Sequence, residues 1–311
     1  MDRRDFLKTL AVTGAVMTVQ RSEAMDILAQ KLTNAGGGKV DLVAVMGGEP
    51  EAMFRRAITE MGGMKQFIKP GQKVVVKPNI GWDKVPELAG NTNPKLVAEI
   101  VKQCLAAGAK EVTVFDHTCD DWQKCYKNSG IEEAAKAAGA KVMPAHLESY
   151  YKPVSLPKGV RMKSAKVHEA ILNSDVWINV PILKNHGGAN LTISMKNHMG
   201  IVWDRGFFHS NDLQQCIADI CTMDKKAVLN VVGAYRVLKT NGPRGRSASD
   251  VVLTKGLFIS QDIVAVDTAA TKFFNQVREM PLESVAHLAN GQALKIGTMD
   301  LDKLNVKRIR L

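Results

Sequence analysis

Short apolar runs alternate with amphipathic stretches along most of this chain. Val40 to Met46 is an apolar run of the length of a buried strand. Gly47-Gly48-Glu49-Pro50 then turns into a segment with Phe54, Ala57, Ile58 and Met61 on one helical face. Val74-Val75-Val76 predicts the next strand, and Asn93-Pro94 opens a helix with a capping side chain before proline. Leu96, Val97, Ile100, Val101, Cys104 and Leu105 form the apolar face of that helix, Gly108 closes it, and Val112 to Phe115 reads as a strand. Ala-Ala-Gly-Ala-Lys occurs at 106–110 and again at 137–141, each copy marking a helix end, a glycine stop and entry into a strand. Further strands are predicted at Val176 to Val180, Leu191 to Met195, Val228 to Val232 and Leu257 to Ser260. A last helix begins at Asp262 or Asp267 and runs through Thr271, Phe273 and Phe274. Residues 144 to 170, with Pro144, Pro153 and Pro157, predict an irregular excursion. This alternation predicts an α/β fold, a largely parallel sheet flanked by helices, over residues 40–311 as a single domain.

The N-terminus reads differently. Arg3-Arg4 precedes Phe6-Leu7-Lys8, a weakly apolar stretch runs from Thr9 to Val19, and Ser22-Glu23-Ala24 offers small residues for cleavage. The pattern resembles a twin-arginine export signal over residues 1–24, followed by a flexible lead over 25–39 that ends in three glycines. The apolar stretch is too short to span a bilayer, which takes about 20 residues, so no stable membrane anchor is expected. The implied partner is the twin-arginine export machinery, and the implied location is the periplasm or another exported compartment. That route carries proteins already folded, many of them with a cofactor installed.

Composition adds a basic surplus, +11 over 311 residues, which survives removal of the leader. It favours a small anionic ligand or simply a solvated basic surface; no RNA-binding aromatic motif or zinc-finger spacing supports a nucleic-acid partner. Five cysteines are too few for a disulfide framework. Cys104 reads as core, Cys119 and Cys125 flank a short loop and could pair, and Cys216 and Cys221 fall on different faces of a helix. Their spacing argues against an iron–sulfur cluster. No Gly-x-Gly-x-x-Gly or Walker sequence supports a nucleotide. Gly47-Gly48 reads as a turn, because Glu49 and Glu51 would repel a phosphate there.

Candidate chemistry gathers where apolar runs end. Val74–Val76 leads to Lys77-Pro78-Asn79, and Val112–Phe115 leads to Asp116-His117-Thr118. Val176–Val180 leads to Lys184-Asn185-His186, Leu191–Met195 leads to Lys196-Asn197-His198, and Leu257–Ser260 leads to Gln261-Asp262. In open α/β sheets ligands bind outside the carboxyl ends of strands, so these groups predict a shared polar mouth. Lys77, Asn79, Lys184, Asn185, Asn197 and Arg244 are the candidates for holding an anion. His186, Lys196, His198 and Asp116 are the candidates for proton transfer. His186, His198 and His117 are also candidate metal ligands, with hydrogen-bonded structural histidines as the competing reading. Trp82 and Trp203 could wall a pocket or pack on the surface.

Five segments together resemble the domain of unknown function 362 family: Val76 to Asn79, Pro181 to His186, Ser194 to Gly200, Asn241 to Gly245, and Ser260 to Asp267. The resemblance spans roughly Val40 to Ala270 and implies no defined activity. Some members are joined to ferredoxin modules, which implies redox work for them; this sequence contains no such module. Members often carry an acidic residue after the strand near 228–232, where this chain has Asn230 and Gly233-Ala234, so no carboxylate role carries over. The expectation is an exported enzyme acting on a small anionic substrate, with a metal or redox cofactor left open. The alternative is a non-catalytic periplasmic binding or maturation protein carrying a metal, cofactor or anionic ligand.

Overall fold

The structure, a computed structural model, describes residues 38–311; the twin-arginine segment lies outside the described residues. The described residues form twelve strands, ten of them in one sheet. In chain order they are β1 (Leu42–Met46), β2 (Lys73–Pro78), β3 (Glu111–Val114), β4 (Lys141–Val142), the separate β5 (Tyr151–Ser155) and β6 (Ser164–His168), β7 (Val176–Val180), β8 (Ile182–His186), β9 (Asn190–Thr192), β10 (Leu229–Leu238), β11 (Val251–Ser260) and β12 (Val306–Arg310). The spatial order is β12-β1-β11-β10-β7-β2-β3-β4, with β8 beside the upper part of β10 and β9 paired to β8. Most pairings are parallel; β11 runs antiparallel between β1 and β10. The α/β reading with a mostly parallel sheet therefore holds.

Because strand side chains alternate, the sheet divides two cores. Val43, Val45, Val74, Val76, Ile178, Val180, Leu229 and Val231 face one layer, while Leu42, Val75, Trp177 and Val232 face the other. The first layer is covered by α1 (Pro50–Glu60), α2 (Pro94–Ala106), α3 (Trp122–Asn128) and α4 (Ile131–Ala137). The second holds α5 (Ser194–Asn197), α6 (Leu213–Ile220), α7 (Ile263–Val277) and α8 (His287–Ala293). Among the described residues no helix is long and apolar enough to cross a membrane. The repeated Ala-Ala-Gly-Ala-Lys forms two matching junctions, with Gly108 and Gly139 both at φ 99°.

Three expectations change in detail. The stretch 144–170 is not irregular throughout, since Tyr151–Ser155 and Ser164–His168 pair as an antiparallel hairpin. Leu191–Met195 is not a strand: pairing stops at Thr192 and α5 starts at Ser194. The cause is Asp267, buried in α7, whose carboxylate accepts the N–H groups of Ser194 (2.9 Å) and Met195 (2.8 Å) and so satisfies the first turn of α5. Asp262, not Asp267, caps α7, accepting from the N–H of Val264 and Ala265.

Candidate functional site

Lys77 is the last-but-one residue of β2 and has no solvent exposure. Its ammonium lies 2.8 Å from Asp116 Oδ1, just beyond the end of β3, and donates to the backbone carbonyl (2.6 Å) and Oδ1 (3.0 Å) of Asn197. Asp116 Oδ2 accepts from the Ile80 N–H at 2.6 Å. Burial pulls the Lys77 pKa down, and the Asp116 charge opposes that pull. Gly200 closes over the pair: a Cβ there would overlap Asp116 Oδ1 and Lys77 Nζ, so only glycine lets this backbone approach the ions.

A chain of amides runs through this ion pair. Lys184 Nζ donates to Asn79 Oδ1 (3.0 Å), Asn79 Nδ2 to Asn197 Oδ1 (3.1 Å), and Asn197 Nδ2 to Asn179 Oδ1 (2.9 Å). Asn179 Nδ2 in turn donates to Asn230 Oδ1 at 3.0 Å. Every donor in the series points the same way, from the mouth of the sheet towards the start of β10. Asn179 and Asn230 face each other in register across β7 and β10, which is why their amides meet. Amides suit this position because each both donates and accepts, so a buried series can be satisfied without net charge.

The sheet opens above this chain. Pro181 separates β7 from β8, and its carbonyl accepts the Gly233 N–H at 2.9 Å, so Lys184 on β8 reaches back over the end of β7. Besides Asn79, Lys184 donates to the Gly90 carbonyl at 2.5 Å. Burial brings its pKa down to about 7. Lys196, on α5 and partly exposed, has neither a hydrogen bond nor an ion pair among the described residues. Desolvation and the nearby Arg205 and Lys77 charges bring it down to about 8, against the opposing fields of Cys119 and Asp116. Arg205 is held by the carbonyls of His117 (2.9 Å) and Thr118 (2.6 Å), and its Nη1 lies 3.1 Å from the exposed Cys119 sulfur.

His186 belongs to the same mouth. Its Nδ1 accepts the N–H groups of Gly188 and Ala189, so the ring proton sits on Nε2; burial and the Lys196 and Lys184 charges hold its pKa down to about 2. It stays neutral, with the Nε2–H left as its donor group. The other predicted residues are engaged elsewhere. Asn185 Oδ1 accepts the Gly242 N–H at 3.0 Å, tying down the 241–245 loop. Arg244 pairs with Asp120 at 3.2 Å and lies over Trp82, half-exposed at the rim. His117 stacks on Trp203 at 3° between planes and its Nδ1 faces the Val202 carbonyl at 2.9 Å. His198 lies under the sheet against Trp177, its Nδ1 3.2 Å from Cys221 Sγ.

The ligand set of His117, His186 and His198 is therefore not assembled. Among the described residues no three His, Cys, Asp or Glu side chains converge in a way that could hold a metal ion. All five cysteines are free thiols, so Cys119 and Cys125 are not paired. What the structure does bring together is Lys77, Asn79, Asp116, Lys184, Asn197 and, in their field, Lys196 and His186. Arg205, Cys119, Asn179 and Asn230 join them without having been expected. Asn179 and Asn230 carried a signal, a lone amide inside each of two apolar strand runs; Arg205 carried none.

These residues fall within one family's pattern. The model of the domain of unknown function (DUF362) matches residues 74–272, more than half of the chain. The chain belongs to the DUF362 family. The matched region contains the whole amide chain, from Asn79 and Lys184 to Asn230, together with the Lys77–Asp116 pair. A thylakoid-associated protein of Synechocystis is 24% identical over 227 residues, 71% of this chain and 68% of that protein. The lactate racemase apoprotein of Thermoanaerobacterium thermosaccharolyticum superposes with a TM-score of 0.49 at 12% identity, over 77% of this chain. This chain covers 58% of that racemase.

Proposed function

We propose that this DUF362 protein binds a small anionic molecule at the carboxyl ends of β2, β3 and β8 and transfers a proton on it. The carrying observation is Lys196. Its ammonium is partly exposed, has no protein partner and sits in the field of Arg205, Lys77 and Lys184, which together attract an anion. An anion at this point supplies the missing counter-charge. A carboxylate or phosphate oxygen would take up Lys196 and the remaining Lys184 proton, with the His186 Nε2–H as a neutral donor.

The same field suits Lys196 to proton transfer. Near neutrality it exists in both protonation states, whereas Lys77 is locked in its ion pair and Lys184 is fixed by two acceptors. The twin-arginine pattern at Arg3-Arg4 supports export, so we place the activity outside the cytoplasm. The test is calorimetric titration with phosphate and with citrate. Saturable binding is expected, lost in Lys196→Met, weakening as pH rises through about 8 because the neutral amine no longer pairs with the anion. Binding indifferent to Lys196→Met would overturn the assignment.

A further inference from the structure

At the far end of the amide chain lies a second concavity. The end of α6, the loop leading into β10 and the start of α7 enclose a cleft of ≈ 50 Å³. Ile220, Met223, Ile263 and Ile296 make its walls apolar. Two polar groups line it with unused hydrogen-bonding capacity. His198 is 4% exposed, and its Nε2 has no partner. Asn230 Nδ2 reaches only the carbonyls of Ser260 and Gln261, at 3.5 and 3.4 Å, the outer limit for such bonds.

Buried polar groups of this kind normally meet a water or a ligand. The electrostatics select among ligands. Lys225 and Lys226 line the cleft and no acidic residue does, so an anion is favoured over a cation. His198 itself is neutral, its pKa held down to about 3 by burial and by the Lys77 and Lys226 charges. Nδ1 faces the Cys221 thiol at 3.2 Å, so Nε2 is the ring nitrogen turned to the cleft, and in the tautomer that leaves Nδ1 as acceptor it donates there. The volume admits a molecule of only a few heavy atoms, since a single water needs about 10–15 Å³ of such space.

We propose that this cleft is a binding site for a short-chain carboxylate, with its oxygens on His198 Nε2 and Asn230 Nδ2, its aliphatic tail against Ile263 and Ile296, and Lys226 as counter-charge. The site is separate from the mouth and stands independently of the function proposed there. Its last contact, Asn230, is also the last amide of the series that begins at Lys184.

The experiment is a titration of protein carrying ¹⁵N-histidine with acetate and with propionate, read at the His198 ring nitrogens by NMR. A saturable shift is expected, with propionate about fourfold tighter for its extra buried methylene. Lys226→Glu, at an exposed position, should weaken binding of both acids, and Lys196→Met in the mouth should leave it unchanged. His198→Gln lacks the reporting ring, so its titration is followed by calorimetry, where binding of both acids should be lost; Lys226→Glu keeps the test open if that variant fails to fold. An absent shift, an ordered water only, or a shift that follows Lys196→Met instead of Lys226→Glu would overturn the proposal.

Discussion

Replacing Asp116 by asparagine is the sharpest test of how the buried site is held together. Oδ1 of the carboxylate is ion-paired with Lys77 at 2.8 Å, and Oδ2 accepts from the Ile80 N–H at 2.6 Å. Asparagine keeps the shape but offers one acceptor and turns a donor towards the other partner. At 2.8 Å and an effective dielectric of about 20, the ion pair is worth about 6 kcal/mol of attraction. Desolvating two ions costs several kcal/mol each, so the intact pair comes out near break-even. Removing one partner is different, because Lys77 stays buried and uncompensated. Asp116→Asn should therefore destabilise by about 3–5 kcal/mol. Lys77→Met removes the cation as well, and in the double variant the introduced amide oxygen still serves the Ile80 N–H. The double variant should thus be less destabilised than the two single costs combined, by up to about 3 kcal/mol. Urea unfolding followed by circular dichroism measures all four proteins at one pH. A cost below about 1 kcal/mol for Asp116→Asn, or strictly additive costs, would refute the reasoning that the pair is desolvated and coupled.

Two further outcomes follow from the same geometry. Lys184 and Lys196 have pKa values near 7 and 8 when folded, against the ordinary lysine value near 10.5 when unfolded. Between about pH 7 and pH 10 the unfolded chain holds more protons, so their contribution to stability rises with pH and is lost as pH falls through the folded values. Urea midpoints should show this rise, and Lys196→Met should flatten it; an unchanged slope in that variant would contradict the placement of Lys196. Of the five cysteines, Cys119 is exposed and the other four are buried. Native protein treated with iodoacetamide should take up one equivalent at Cys119 before any other; early labelling of Cys125 or Cys221 would show that the packing around them is wrong.

Much of the site was legible because it follows a rule of sheets. Lys77, Asp116 and Lys184 follow apolar runs, and strands that end together put such residues together. The second Lys-Asn-His triplet misled in part. It reads as another strand end, but Asp267, some seventy residues on, supplies the acceptors that turn the chain into α5. On that short helix Lys196, Asn197 and His198 diverge: one faces the mouth, one joins the amide series, and one drops under the sheet. The three histidines do not assemble either, because each is engaged locally: His117 by Trp203 and the Val202 carbonyl, His186 by the Gly188 and Ala189 N–H groups, and His198 by Trp177 and Cys221.

Local pattern determined most of the strands and helices, though not α5 or the β5–β6 hairpin, because apolar alternation, proline at helix starts and glycine at helix ends act over a few residues. It also fixed which polar residues stand at the strand ends. Partnership was decided only in three dimensions. The register of β7 against β10 brings Asn179 to Asn230, and the break at Pro181 lets Lys184 reach Asn79. Arg205 meets Cys119 only because the loops after β3 and α5 fold over one another. Hydrogen bonds and ion pairs depend on angstroms between atoms a hundred residues apart, and no local pattern encodes that distance.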